Sequence, residues 1–145
     1  VLAIAAGALG GGCGEGGVGS GATVSVYVAA PLCERAEAPL RKDGGKVGDL
    51  AVDAVCLPPV ESKGKVDLAV VGANARRATE DSASVAFVEA PGRAARFARP
   101  IVESANLAFV ETRSVATEMR RVLQALSEKG SSSPRNEVRE SLEGG

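Results

Sequence analysis

Four short β-branched runs, separated by segments whose apolar residues recur at spacings of three and four, set the strongest limit on how this chain folds. The first covers Thr23 to Ala30, where Val24, Val26 and Val28 alternate with smaller or polar residues before Pro31. Alternation with a period of two is the mark of a strand. Leu50 to Leu57 is the second run, stopped by Pro58 and Pro59. Ser84 to Ala90 is the third, stopped by Pro91 and Gly92, and Leu107 to Val110 is the fourth.

Between the second and third runs, Leu68, Val71, Gly72, Ala75, Ala78 and Thr79 fall on one helical stripe, with Asn74, Arg76, Arg77 and Glu80 facing away. Asp67 stands where its carboxylate can accept from the free amides of that helix. Ala94, Phe97, Ala98, Ile101, Val102 and Ala105 repeat the pattern before the fourth run, but Pro100 lies inside it. Proline lacks the amide that a helix interior needs, so this helix is predicted to begin near Arg99 or to kink there. Val115, Met119, Val122, Leu123 and Leu126 make the clearest helical face, closed by Lys129 and Gly130, and Ser133 with Pro134 opens a last short helix. Residues 32 to 48, broken by Pro39, Gly44, Gly45 and Gly48, allow only a short helix, and Glu61 to Lys65 reads as a solvated loop. Strand and helix in alternation require parallel strands joined by right-handed crossovers. The predicted class is α/β, an open parallel sheet of about four strands with helices on both faces.

Composition narrows the chemistry. With 145 residues, 45% of them apolar, the chain supports one core, expected over residues 23 to 145. The formal charge is −1 with both signs interspersed, which argues against a nucleic-acid partner. Histidine is absent, which removes His-based general bases and the commonest zinc and haem ligand. Three Phe and one Tyr, with no Trp, leave little to stack a flat cofactor against. No pair of carboxylates is spaced as a metal or acid/base site, and no phosphate-binding loop of the G-x-x-x-x-G-K-[ST] kind occurs. A non-enzymatic role without a cofactor or bound metal is expected.

The first twelve residues, VLAIAAGALGGG, are apolar but too short to cross a bilayer, which takes about 20 residues. They have the small-residue ending of an export signal and are followed by Cys13, as in a bacterial lipoprotein processing site, although Leu9 sits one place further from the cysteine than usual. Neither the Met nor the basic residues of such a signal precede them, as though the sequence begins inside it. Residues 1 to 22 are thus expected to be a signal segment and a Gly/Ser tether, with Cys13 lipidated and the domain extracytoplasmic at the membrane surface. A first buried strand followed by a loop is the competing reading. Gly12, Gly14 and Gly17 also match the G-x-G-x-x-G spacing of a dinucleotide site, which needs a helix to open there. Six glycines, at positions 12, 14, 16, 17, 19 and 21, oppose that helix at about 1 kcal/mol each. With Cys13 set aside, Cys33 and Cys56 form either a disulfide or two small buried thiols.

In open parallel sheets, ligands gather beyond the carboxyl ends of the strands. Those ends are Ala30–Cys33, Glu89–Arg93 and Glu111–Ser114, which makes Pro31, Gly92, Arg93 and Thr112 candidate ligand-binding residues. Gly92 lets backbone amides approach a ligand, and the helix that follows favours an anion. Arg93, Arg96 and Arg99 form a cationic stripe there, which a solvated face paired with Glu89, Glu103 and Glu80 explains better than a binding site does.

The order of these pieces carries a resemblance. A valine-rich strand ending in APLC, the strand at Leu50–Leu57, and VGANARRATEDSASVAFVEAPGRAARFARPIVESANLAFVET are similar to the amino-terminal lobe of type 1 periplasmic binding proteins, the leucine/isoleucine/valine-binding solute receptors of ABC transporters. SVATEMRRVLQALSEKGSSSPRNEVRESL is similar to the carboxyl-terminal helices that pack on that lobe in the family. The resemblance implies an amino acid-like solute, an ABC permease as partner, and Gly92, Arg93 and Ala94 as the equivalents of the binding loop. Two departures stand out. The second lobe is missing between Thr112 and Ser114, and Pro91, Gly92 and Arg93 replace the hydroxyl residues usual in that loop. The rival readings are a cell-surface interaction domain without a small ligand and a small dinucleotide-binding enzyme.

Overall fold

The computed structural model describes residues 22–41, 44–128 and 133–143. Strand β1 (Thr23–Val28) is buried along nearly its whole length, because its valines and Tyr27 find partners on both faces. It pairs in parallel with β3 (Leu50–Cys56) on one side and β6 (Ser84–Glu89) on the other, and β6 pairs in parallel with β7 (Ala108–Glu111). A short antiparallel strand, β2 (Lys46–Val47), closes the β3 edge, so the sheet runs β2-β3-β1-β6-β7. The sheet therefore has five strands rather than four. The fifth comes from the glycine-broken stretch, where Gly44, Gly45 and Gly48 at positive φ fold the chain back on itself.

Helices α1 (Cys33–Arg41), α4 (Val115–Glu128) and α5 (Pro134–Glu143) cover one face, where Ala36, Leu40, Met119, Val122 and Val138 meet Val24, Val26, Val28 and Val88. Helices α2 (Leu68–Glu80) and α3 (Arg93–Ser104) cover the other, with Val71, Ala75, Ala98 and Val102 packed on Tyr27, Phe87 and Leu107. Alternation along the central strands sends Val26 and Val28 to one layer and Tyr27 to the other. The result is an α/β fold with helices on both faces.

Three local expectations are corrected. First, α3 starts at Arg93 rather than near Arg99 and continues through Pro100 to Ser104. Ala94, Ala95, Ala98 and Val102 are buried along it while Arg96 and Pro100 lie at the surface, so packing holds the helix and the carbonyl that Pro100 cannot bond faces water. Second, the loop at Glu61–Lys65 is a two-stranded hairpin, β4 (Glu61–Ser62) with β5 (Lys65–Val66). Lys63 at φ 54° and Gly64 at φ 74° give it the two left-handed residues that a tight hairpin turn requires. Third, Asn74 points inward rather than to solvent, being only 6% exposed. Asp67 caps α2, its Oδ1 accepting from Ala69 N at 3.0 Å and Val70 N at 3.3 Å.

Candidate functional site

After β1 the chain leaves through α1 on one face, and after β6 it leaves through α3 on the other. Connections that part in this way open a crevice between the two strand ends. A cavity of about 270 Å³ occupies it, just below the roughly 300–1,000 Å³ usual for small-molecule clefts. Pro31 from the β1 exit and Gly92, Arg93 and Ala94 from the β6 exit all line it. Thr112 does not; its hydroxyl accepts from Ser114 N at 2.9 Å just before α4, and its own amide donates to Glu89 O.

Two further lining residues, Glu89 and Asn74, are polar and buried, while the carboxylate residue Glu61, also on the wall, is exposed. Glu89 ends β6 with the same inward parity as Phe87 and is 5% exposed. Ala90 N donates to its Oε1 at 3.0 Å, the one hydrogen bond its carboxyl makes among the described residues. Burial holds its pKa above the ordinary 4.5, and the Glu111 charge adds to this against the opposing Ala90 hydrogen bond. Asn74 reaches across from α2, its Nδ2 donating to Pro58 O at 3.0 Å and fixing the β3 exit as a wall. Sequence reading puts Asn74 on the solvent face and Glu89 in a solvated ion pair, and names neither as a site residue. The signal for Glu89 was its parity with Phe87, and that for Asn74 its spacing of three from Val71 and four from Ala78.

Also on the wall, α3 starts after its N-cap Gly92, with no side chain capping its amides. The first amides of a helix have no partner within it and carry its positive end. Gly92 sits at φ 146°, a backbone conformation that side-chain-bearing residues rarely adopt, and a Cβ there would meet nothing within 4 Å. Glycine is thus required by the backbone turn rather than by lack of space. The cavity joins a buried carboxyl to a helix N-terminus, with Arg93 at its rim.

The chain matches no known family model, no curated protein and no solved structure. Its function rests on its own geometry. No helix among the described residues is long and apolar enough to cross a membrane. Cys13 and the glycines at positions 12, 14 and 17 lie outside the described residues.

Away from the cavity, the stripe of arginines divides. Arg99 pairs with Glu103 and Glu111, both at 3.1 Å, and lies over the Phe109 ring at 4.6 Å. Arg93 and Arg96 make no ion pair among the described residues. Cys33 and Cys56 are joined by a disulfide with a Cα–Cα distance of 5.6 Å, which ties the start of α1 to the end of β3. Glu37 lies beside it, and one donor atom from each of the three residues falls within 4.8 Å of the others.

Proposed function

We propose that the cavity is the half-site of an extracytoplasmic substrate-binding protein serving an ABC importer, and that it holds an amino acid-like solute by reversible binding without chemistry. The observation that carries this reading is the pairing, on one small cavity, of the buried Glu89 carboxyl with the uncapped N-terminus of α3. An ammonium group placed against Glu89 turns a costly buried acid into a paired one, while a carboxylate placed on the first-turn amides gains both hydrogen bonds and the helix dipole. A zwitterion of amino acid size offers both groups. In this reading a lipid on Cys13 holds the chain at the outer membrane surface, and an ABC permease receives the solute.

Thermal unfolding of the full chain against a panel of amino acids tests the proposal. At least one free amino acid should raise the melting temperature, and its N-acetyl and amide derivatives should not. A folded protein that no amino acid stabilises sinks it. Mass spectrometry of the membrane fraction should find a diacylglycerol adduct on Cys13, and an unmodified Cys13 removes the anchor from the reading.

A second reading, an interaction domain without a small ligand, is favoured by one feature. Phe97 is 42% exposed on α3, near Arg76, Arg93 and Arg96, none of which makes an ion pair among the described residues. An aromatic residue among free guanidinium groups suits an acidic protein surface. Failure of the amino acid panel favours this reading.

A further inference from the structure

On successive turns of one face of α1 stand Cys33, Glu37 and Arg41. Arg41 Nη2 holds Glu37 Oε2 at 3.3 Å, which leaves Oε1 facing the sulfurs, 3.9 Å from Cys33 Sγ and 3.5 Å from Cys56 Sγ. A disulfide sulfur has no hydrogen to donate. In the bridged state the carboxylate oxygen therefore lies against two atoms that cannot satisfy it, although two thiols or a cation could. We propose that reduction of the Cys33–Cys56 bridge converts this corner into a site for a thiophilic divalent cation, with Cys33, Cys56 and Glu37 as its three protein ligands.

The chemistry closes in two steps. A dithiol reductant passes two electrons and two protons to the bridge, so the S–S bond breaks, both cysteines become thiols and the reductant's own sulfurs join as a disulfide. A divalent cation then displaces the two thiol protons to solvent and binds two thiolates and the Glu37 carboxylate. A tetrahedral zinc with sulfurs at about 2.3 Å places them about 3.8 Å apart. The 5.6 Å between the two Cα atoms accommodates that spacing by side-chain rotation, and Glu37 Oε1 already borders both sulfurs. Cys33 is buried and Cys56 exposed, so one side of the ion is shielded while reductant and metal approach from the other. Three protein ligands leave a fourth position for water. Histidine, the usual partner of cysteine in such sites, occurs nowhere in the chain, and among the described residues the Glu37 carboxylate is the group that completes the set. This inference is independent of the solute-binding reading.

The test is zinc titration of the full chain, with and without prior reduction by a phosphine, which delivers the same two electrons and takes its oxygen from water. The reduced protein should bind one Zn²⁺ per chain at micromolar or tighter affinity and the oxidised protein none. With Cd²⁺, a thiolate charge-transfer band should appear only after reduction. Glu37→Gln, a surface change that leaves the helix intact, should weaken Zn²⁺ binding at least tenfold, and Cys56→Ser at least a hundredfold. Reduced protein that takes up no stoichiometric Zn²⁺, or Glu37→Gln binding as tightly as the parent, overturns the proposal. Circular dichroism runs alongside. If reduction costs helix, Zn²⁺ must restore it, and a chain that stays unfolded with the metal overturns the proposal as well.

Discussion

Glu89 shows what a single side chain contributes when placed against its own stability. Folding raises its pKa above the ordinary 4.5, chiefly through burial, so the folded state favours the neutral acid. Its contribution to stability is whole below the unfolded value and is lost as pH rises through the raised one. Glu89→Gln keeps the shape and removes the charge. It should stabilise the protein by roughly 1 kcal/mol at pH 7, with the gain vanishing at acid pH, as read by urea denaturation at both. The same variant should lose affinity for an ammonium-bearing solute. In the parent, that affinity should fall as pH drops through the raised pKa, since a neutral acid attracts no cation, and calorimetric titration across pH checks this. Gly92 is the counterpart in the backbone. Gly92→Ala forces a Cβ onto φ 146° and should cost about 1–3 kcal/mol, visible as a lower denaturation midpoint. A midpoint equal to that of the parent means the loop relaxes without it. Gly92 was legible in the sequence because a glycine closing a strand is a local signal. Glu89 and Asn74 were not, because a polar residue at an inward register looks like surface until the opposite layer is in place.

Among the elements, those with a strong period were readable and those shaped by tertiary contact were not. Runs of valine gave β1, β3, β6 and β7, and spacings of three and four gave α2 and α4. Lys46–Val47 is too short to show alternation, and it becomes a strand only because Leu50 and Ala51 lie opposite. Pro100 misled in the reverse direction. Local chemistry predicts a start near Arg99 or a kink there, whereas the buried stripe from Ala94 to Val102 lets α3 start at Arg93. Proline inside a helix costs about 3 kcal/mol relative to alanine, so Pro100→Ala should stabilise the protein by about 1–3 kcal/mol, measured by urea denaturation. Cys33 and Cys56 join elements 23 residues apart in sequence. Replacing both by serine should cost about 3 kcal/mol by the loop-closure argument and loosen α1 from β3, which hydrogen exchange of the α1 amides would report.

At the scale of the whole molecule, the two apolar layers share the strands that separate them. Val26 and Val28 face one layer while Tyr27 faces the other, so neither layer can melt and leave the other intact. Urea unfolding should therefore be a single transition, with Tyr27 fluorescence and backbone circular dichroism coinciding; curves that part would show the layers to be independent. The shared direction of the four long strands has a further result. The crevice opens where those strands finish, and β1, in the middle of the sheet, starts at the far rim, six residues or about 20 Å away. Whatever precedes Thr23 joins the lobe at its heel. On the proposed anchored reading, a tether joined there enters at the end of the sheet opposite the crevice and leaves the mouth unobstructed.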